Sequence, residues 1–105
     1  MVSLPGVLTP TEMFAAIEAG ASGLKLFPAD MAGPAVIKAV RAVLPPAVPI
    51  LAVGGISAAN MPDYLAAGAA GFGIGGALFM PGKPLDAIAA DARAIVAAYK
   101  AARAV

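Results

Sequence analysis

The segment "GLKLFPAD", residues 23–30, decides the fold, because it places a lysine inside what otherwise reads as a short buried strand. Leu24 and Leu26 lie on one face of the predicted strand, and Lys25 and Phe27 lie on the other. Burying an ammonium group is costly. A lysine at such a position is therefore either a chemical group or the solvent-exposed end of a strand, and the rest of the chain must decide between the two.

Composition limits the choice of protein class. The chain has 105 residues, enough for one small domain, which we take as residues 1–105. Hydrophobic residues make up 61% and charged residues 12%, which argues against a disordered chain. The net charge of +1 gives no electrostatic reason to expect nucleic acid or a membrane as partner. Because cysteine and histidine are absent, disulfides, zinc sites built on these ligands and imidazole-based triads are excluded.

The N-terminus and one long uncharged run bear on where the protein is located. The N-terminus shows no signal peptide, so a cytoplasmic location is expected. The uncharged run 64–82 is long enough for a membrane helix and contains a GxxxG pair, Gly71 and Gly75. Its many glycines weaken a helix, however. We interpret the run as a helix end, a strand and a loop.

Four apolar strands alternate with amphipathic helices. The strands are predicted at "VSLPGV", "LKLFP", "ILAVGG" and "GFGIGG", and the third is an unbroken apolar run typical of a parallel strand covered on both faces. The segments "EAGASGLKLFP" and "LAAGAAGFGIGG" repeat one pattern of helix end and strand. This order predicts an α/β fold of four β/α units, half of an eight-fold barrel. An open doubly wound sheet is the alternative.

The helices carry their own start signals. Thr9, Pro10 and Glu12 form a capping box with proline at the first helical position. Later helices are expected to begin at Gly33-Pro34, near Met61 after a turn at 57–60, and near Leu85. The second and the last helix are each predicted to bury one apolar face, formed by Val36, Val40 and Val43, and by Leu85, Ile88, Ala92, Ile95 and Tyr99.

In a β/α barrel Lys25 and Phe27 would face the interior, while the leucines pack under helices. Desolvation there favours the neutral amine, which can attack a ketone and form a Schiff base. The alternative is a lysine whose amine lies in bulk water. Asp30 could assist proton transfer, although capping the following helix is its more frequent role. Ser57 could bind a phosphate or cap its helix.

Two glycine pairs give a second functional signal. Gly54-Gly55 ends the third strand and Gly75-Gly76 ends the fourth, at the strand ends where β/α enzymes hold their sites. Glycine lets backbone N–H groups approach phosphate oxygens, and a helix start beyond adds a favourable dipole. Tight turns that need a positive φ are the structural alternative. The placement of two pairs in consecutive units favours a phosphate site.

With "LPG", "LKLFPAD", "AVGGIS" and "GIGGALF" in order, the chain resembles the C-terminal half of a class I aldolase. The family is that of the 2-keto-3-deoxy-6-phosphogluconate and 2-keto-3-deoxy-6-phosphogalactonate aldolases. The resemblance covers nearly the whole chain and implies the C-terminal half of a (β/α)8 TIM barrel. It implies a lyase that forms pyruvate and glyceraldehyde 3-phosphate from a phosphorylated keto acid, without a cofactor.

The resemblance also implies roles for individual residues. It assigns the Schiff base with pyruvate to Lys25 and contact with the pyruvyl methyl to Phe27. The remaining positions shape the site (Pro5, Gly6), bind the substrate phosphate (Gly54, Gly55, Gly75, Gly76) or distinguish the two substrates (Val53). Valine at position 53 and the segment "GPAVIKAVRAVLP" lean toward the galactonate compound.

The chain departs from the family in length, since members are complete barrels of roughly 200 residues. The missing N-terminal half would supply a glutamate for proton transfer and an arginine for the carboxylate. Ala77 stands where the gluconate enzymes have a serine near the phosphate. We therefore expect impaired activity, and as partner either the missing half or further copies in a homo-oligomer, such as the trimers typical of the family. Two alternatives stay open: a phosphate-binding barrel similar to thiamine phosphate synthase, and a non-catalytic half barrel.

Overall fold

The computed structural model describes residues 1–104, which form one parallel sheet covered by helices. The elements, in chain order, are β1 (Gly6–Val7), α1 (Pro10–Glu18), β2 (Leu24–Leu26), α2 (Ala29–Ala32), α3 (Pro34–Arg41), β3 (Ile50–Val53), α4 (Met61–Ala67), β4 (Gly71–Gly73) and α5 (Leu85–Arg103). Each strand pairs in parallel with the next, in the order β1-β2-β3-β4. A doubly wound sheet reverses its order at a switch point. The sequential order is that of barrel units, so the predicted β/α architecture is confirmed.

Helix α1 begins at the predicted capping box. The Glu12 N–H donates to the Thr9 hydroxyl at 3.3 Å, and the Thr9 N–H donates to the Glu12 carboxylate at 3.0 Å. The Thr9 backbone N–H, followed by the Thr9 hydroxyl and the Leu8 N–H, holds the pKa of Glu12 below its usual value. Reciprocal bonds of this kind satisfy donors that a helix start leaves free. They fix the path of the chain from β1 into α1.

The two faces of the sheet differ in cover. Leu24, Leu26, Ile50 and Ala52 point toward the helices and are fully buried. Lys25, Leu51 and Val53 point the other way and are only half-buried. The expectation that β3 is covered on both faces was wrong, because the helices pack against one face alone. We call the helix-covered side the outer face and the other the inner face.

The predicted helix faces need two corrections. In α3 the buried residues are Ile37 and Val40, while Val43 is 60% exposed. The reason is that α3 ends at Arg41, so Val43 lies in the turn beyond it. In α5, Ile95 and Tyr99 pack against the core, but Leu85 is 84% exposed at the first position of the helix.

The glycine-rich run 64–82 contains the end of α4, strand β4 and a loop, as predicted. Gly68 ends α4 in the left-handed conformation, with φ of 113°. A glycine adopts this conformation at little steric cost. Within residues 1–104, no helix has both the length and the hydropathy that a membrane span requires.

Candidate active site

Lys25 lies on the inner face, beside the first strand. The register pairs Gly6 of β1 with Lys25, Lys25 with Leu51, and Leu51 with Gly71. The Lys25 N–H donates to the Pro5 carbonyl at 2.9 Å. A Cβ added at Gly6 would lie 3.3 Å from Cε of Lys25, so the missing side chain leaves room for the lysine. Pro5 and Gly6, the residues implied to shape the site, therefore both adjoin the lysine.

Phe27 accompanies Lys25 on the inner face, as strand alternation predicts. The Nζ of Lys25 lies 5.5 Å from the centroid of the Phe27 ring, within cation–π distance. Lys25 is half-buried and Phe27 is 50% exposed. The lysine is thus held against the sheet and an aromatic ring, and its inner side stays open.

A cavity of about 500 Å³ lies at the carboxyl ends of β3 and β4. Its lining contains the residues to which the resemblance gave substrate or phosphate contacts, namely Phe27, Val53, Gly54, Gly55, Gly75 and Gly76. Ile56, Ser57, Gly73 and Ala77 complete the lining. Lys25 is not among these residues and adjoins the cavity through Phe27. The fold thus brings both glycine pairs together, with the lysine at their edge.

The two glycine pairs differ in their surroundings. Gly54 and Gly55 have φ of 105° and 67°, and a Cβ at Gly55 would lie 2.6 Å from Cβ of Asp30. A Cβ added at Gly75 or Gly76 meets nothing within 4 Å. Glycine is thus required at both positions of the first pair by the positive φ, and at position 55 also by the neighbouring Asp30. This agrees with the explanation that the pair forms a tight turn. The second pair leaves backbone open at the cavity.

Neither pair leads directly into a helix, and the next helices start where the sequence predicted them, several residues beyond each pair. Helix α4 begins at Met61 and α5 only at Leu85. Turns fill the gaps, and after the second pair the Leu78 and Phe79 N–H groups both donate to the Gly75 carbonyl. The glycine pairs therefore present loop backbone, and not the first turn of a helix, to the cavity.

Asp30 does not cap α2, because Pro28 occupies the N-cap position. Its carboxylate accepts a bond from the Met31 N–H at 3.0 Å, within the first turn. Its own N–H donates to the Gly54 carbonyl at 3.2 Å, which joins the segment after β2 to the first glycine pair. Asp30 therefore connects the lysine strand to the first glycine loop.

Tyr64 supports the same junction from the outer face. Its hydroxyl donates to the Ala29 carbonyl at 2.8 Å, and the residue is almost fully buried. Burial first, and then the negative charge of Asp30, raises the pKa of Tyr64 above its usual value. The neutral hydroxyl is the form that makes this bond.

Asn60 has a role that the sequence interpretation missed. It occupies the N-cap position of α4, where asparagine often caps a helix, yet its side chain makes no bond to α4. Its Oδ1 accepts from the Ser57 N–H at 2.8 Å, and its Nδ2 donates to the Gly55 carbonyl at 2.8 Å. The asparagine three positions after Ser57 was the available signal, since such side chains often bond to nearby backbone.

Lys83 was not singled out from the sequence either. Its Nζ donates to the Leu78 carbonyl at 3.1 Å and forms an ion pair with Asp91 of α5. The loop after the second glycine pair is thus attached to the last helix. No group of three or more acidic side chains within the described part of the chain, residues 1–104, is placed to hold a metal ion.

Comparison with known proteins identifies the family. The family model described as "Aldolase: KDPG and KHG aldolase" matches residues 1–97. A probable 2-dehydro-3-deoxy-6-phosphogalactonate aldolase of Rhizobium meliloti (strain 1021) is 52% identical over 101 residues, which are 96% of this chain and 48% of the relative. The 2-dehydro-3-deoxy-6-phosphogalactonate aldolase of Escherichia coli (strain K12) is 44% identical over 102 residues, 97% of this chain and 50% of that protein.

A solved structure gives the same result for the fold. The structure described as "Native KDPGal structure" superposes with a TM-score of 0.97 at 43% identity, and the match covers 100% of this chain and 51% of that one. The chain spans about half the length of the curated relatives it matches. It belongs to the KDPG and KHG aldolase family.

Proposed function

We propose that this chain carries the imine-forming lysine and the phosphate-binding loops of a class I aldolase. The substrate is 2-keto-3-deoxy-6-phosphogalactonate or the corresponding gluconate compound, and the products are pyruvate and glyceraldehyde 3-phosphate. The observation that carries the proposal is the position of Lys25. It lies on the inner face between Gly6 and Phe27, at the edge of a glycine-lined cavity.

The proposed reaction begins with attack of the Lys25 amine on the C2 ketone of the substrate. Loss of water gives a protonated imine, which withdraws electrons from the chain of the substrate. The C3–C4 bond then breaks, its electron pair forms an enamine, and the C4 hydroxyl loses its proton to become the aldehyde product. Protonation of the enamine and hydrolysis of the imine release pyruvate and restore the amine.

The cavity supports the second part of the proposal. Its volume of about 500 Å³ and its lining of glycine backbone suit a phosphate group that must be reached by N–H donors. The ring of Phe27 lies beside Lys25 and offers an apolar contact for the methyl group of pyruvate. Val53 lines the same cavity, and the galactonate names of two relatives support the galactonate compound as the preferred substrate.

Proton transfer and partners complete the proposal. The Asp30 carboxylate already accepts a hydrogen bond from the Met31 N–H. We therefore assign the proton-transfer role to β/α units outside this half barrel. We propose that such units, from the missing half or from further copies of the chain, cover the half-open inner face in the working enzyme. The full lengths of the relatives, about twice that of this chain, support this assignment.

The test is trapping of the imine. Wild-type protein is mixed with pyruvate and borohydride, and the adduct is mapped by mass spectrometry of its peptides. We expect the adduct on Lys25, complete loss of the adduct in Lys25→Met, and an unchanged yield in Lys38→Met, which alters an exposed lysine of α3.

An adduct that persists in Lys25→Met would contradict the proposal. Folded wild-type protein without adduct is tested again with the N-terminal β/α units of the Rhizobium meliloti relative added. Adduct formation only in that mixture would show that the lysine needs the covering strands. No adduct in either experiment would favour a non-catalytic half barrel.

A further inference from the structure

We infer that Asn60 is a positioning residue, which fixes the first glycine loop, residues 54–57, in the conformation that binds phosphate. The inference rests on the proposed function and adds to it a residue with no assigned role. Asn60 is half-buried, and both ends of its amide are bonded to this loop at 2.8 Å. Its side chain spans the loop from the Gly55 carbonyl to the Ser57 N–H.

The position of Asn60 in the chain argues against an ordinary capping role. An asparagine at an N-cap normally has an extended backbone and accepts a bond from the second or third N–H of its helix. Asn60 has φ of −101° and ψ of −11°, which is helical backbone, and makes no side-chain bond to α4. Its hydrogen bonds go to the glycine loop, so loop conformation is what the residue controls.

The loop requires such control because of its glycines. Gly54 and Gly55 both have positive φ, and glycine has more backbone freedom to lose than any other residue. Without side chains of their own, they cannot hold this conformation by packing. The bond from the Asp30 N–H to the Gly54 carbonyl fixes one end of the loop, and Asn60 fixes the other.

The two bonds of Asn60 set the direction of a donor at the cavity. In a trans peptide the C=O and the following N–H point in opposite directions. Binding of the Gly55 carbonyl to Asn60 therefore turns the Ile56 N–H away from Asn60. Ile56 lines the cavity, while the Ser57 N–H is already used by Asn60. The inference is thus specific to the Ile56 donor and to the glycines before it.

The experiment separates phosphate binding from imine formation. Inorganic phosphate is titrated into ¹⁵N-labelled protein, and the amide signals of Gly54, Gly55, Ile56, Gly75 and Gly76 are followed by NMR. We expect Asn60→Ala to raise the dissociation constant for phosphate roughly tenfold, the effect of two lost hydrogen bonds. Pyruvate has no phosphate group, so the yield of the borohydride-trapped Lys25 adduct should stay within about twofold of wild type.

Two further variants serve as controls. Asn60→Ser keeps a residue that supports a helix start but is too short to span the loop, and it should weaken phosphate binding as much as Asn60→Ala. Asp63→Ala removes an exposed acidic side chain from the first turn of α4, away from the cavity lining. It should leave both readouts unchanged.

The outcomes distinguish this inference from the proposed function. Wild-type phosphate affinity in both Asn60 variants, or parallel loss of phosphate binding and the Lys25 adduct, overturns the role of Asn60. Wild-type protein that binds no phosphate also overturns it, and the adduct then decides the proposed function separately. If wild type forms no adduct even with the N-terminal β/α units added, but phosphate binding depends on Asn60, the aldolase proposal fails and the positioning role stands.

Discussion

The outer and inner faces of the sheet are built from the same short strands, yet the outer face stabilises the fold and the inner face holds the candidate site. Leu24 and Leu26 of β2 are at 0% exposure under the helices, while Lys25 between them is half-buried on the open side. Removal of apolar surface from water stabilises the first set. The inner-face residues contribute less stability, and Lys25 and Phe27 among them stay accessible. Alternation along a three-residue strand thus separates folding from the proposed chemistry.

The largest expected effect tests this separation with one substitution on each face. Leu24→Ala should lower the free energy of unfolding by about 2–5 kcal/mol, because it opens a cavity in a packed core. Leu51→Ala, next to Lys25 in the register, should cost less than half as much because Leu51 is already partly exposed. Chemical denaturation followed by circular dichroism measures both. Equal losses would show that the inner face carries as much stability as the outer face.

The next effect is an exception to the separation, since a residue of the candidate site is also structurally required. Gly55→Ala should destabilise the protein by about 2 kcal/mol or more, because it combines positive φ with contact against Asp30. Gly76→Ala, where the space is open, should change stability by less than about 0.5 kcal/mol. Thermal unfolding of the two variants compares them. A large loss from Gly76→Ala would contradict the described difference between the pairs.

The smallest effect concerns an outer-face residue that supports the site. Tyr64→Phe should lower the free energy of unfolding by about 1 kcal/mol, because the Ala29 carbonyl loses its donor. The pKa of Tyr64 is raised in the folded state, so its contribution is complete below the ordinary tyrosine pKa and is lost as pH rises through the higher folded value.

Stability curves of wild type and Tyr64→Phe should therefore converge in strongly alkaline solution. The measurement is denaturant unfolding at a series of pH values from neutral to alkaline. A constant difference across that range would mean that the hydroxyl does not titrate with the unfolding equilibrium.

The sequence predicted those features that depend on neighbouring residues. The capping box at Thr9 and the orientation of Lys25 against Leu24 follow from local spacing, and the structure confirms both. The four-residue helix α2 was missed because so short a helix has little sequence signal of its own. The local bond of Asn60 to the Ser57 N–H had a sequence signal, but its bond to the Gly55 carbonyl could not be predicted, since it depends on how the loop after β3 turns back. The degree to which Lys25 is desolvated likewise could not be predicted from its strand, because it depends on residues beyond this half barrel.

Strand β4 has almost no side chains on its inner face and is covered instead by its neighbour. A Cβ at Gly73 would lie 2.8 Å from Cγ2 of Val53, and one at Gly71 would lie 3.2 Å from Cδ2 of Leu51. At each of these two paired positions, the side chain of β3 thus fills the space beside the glycine of β4. In evolution the two positions of each pair should change together, since a methyl group gained at 73 requires a smaller residue at 53. The inner face of β3 and β4 is therefore expected to be inherited as pairs of positions rather than as single residues.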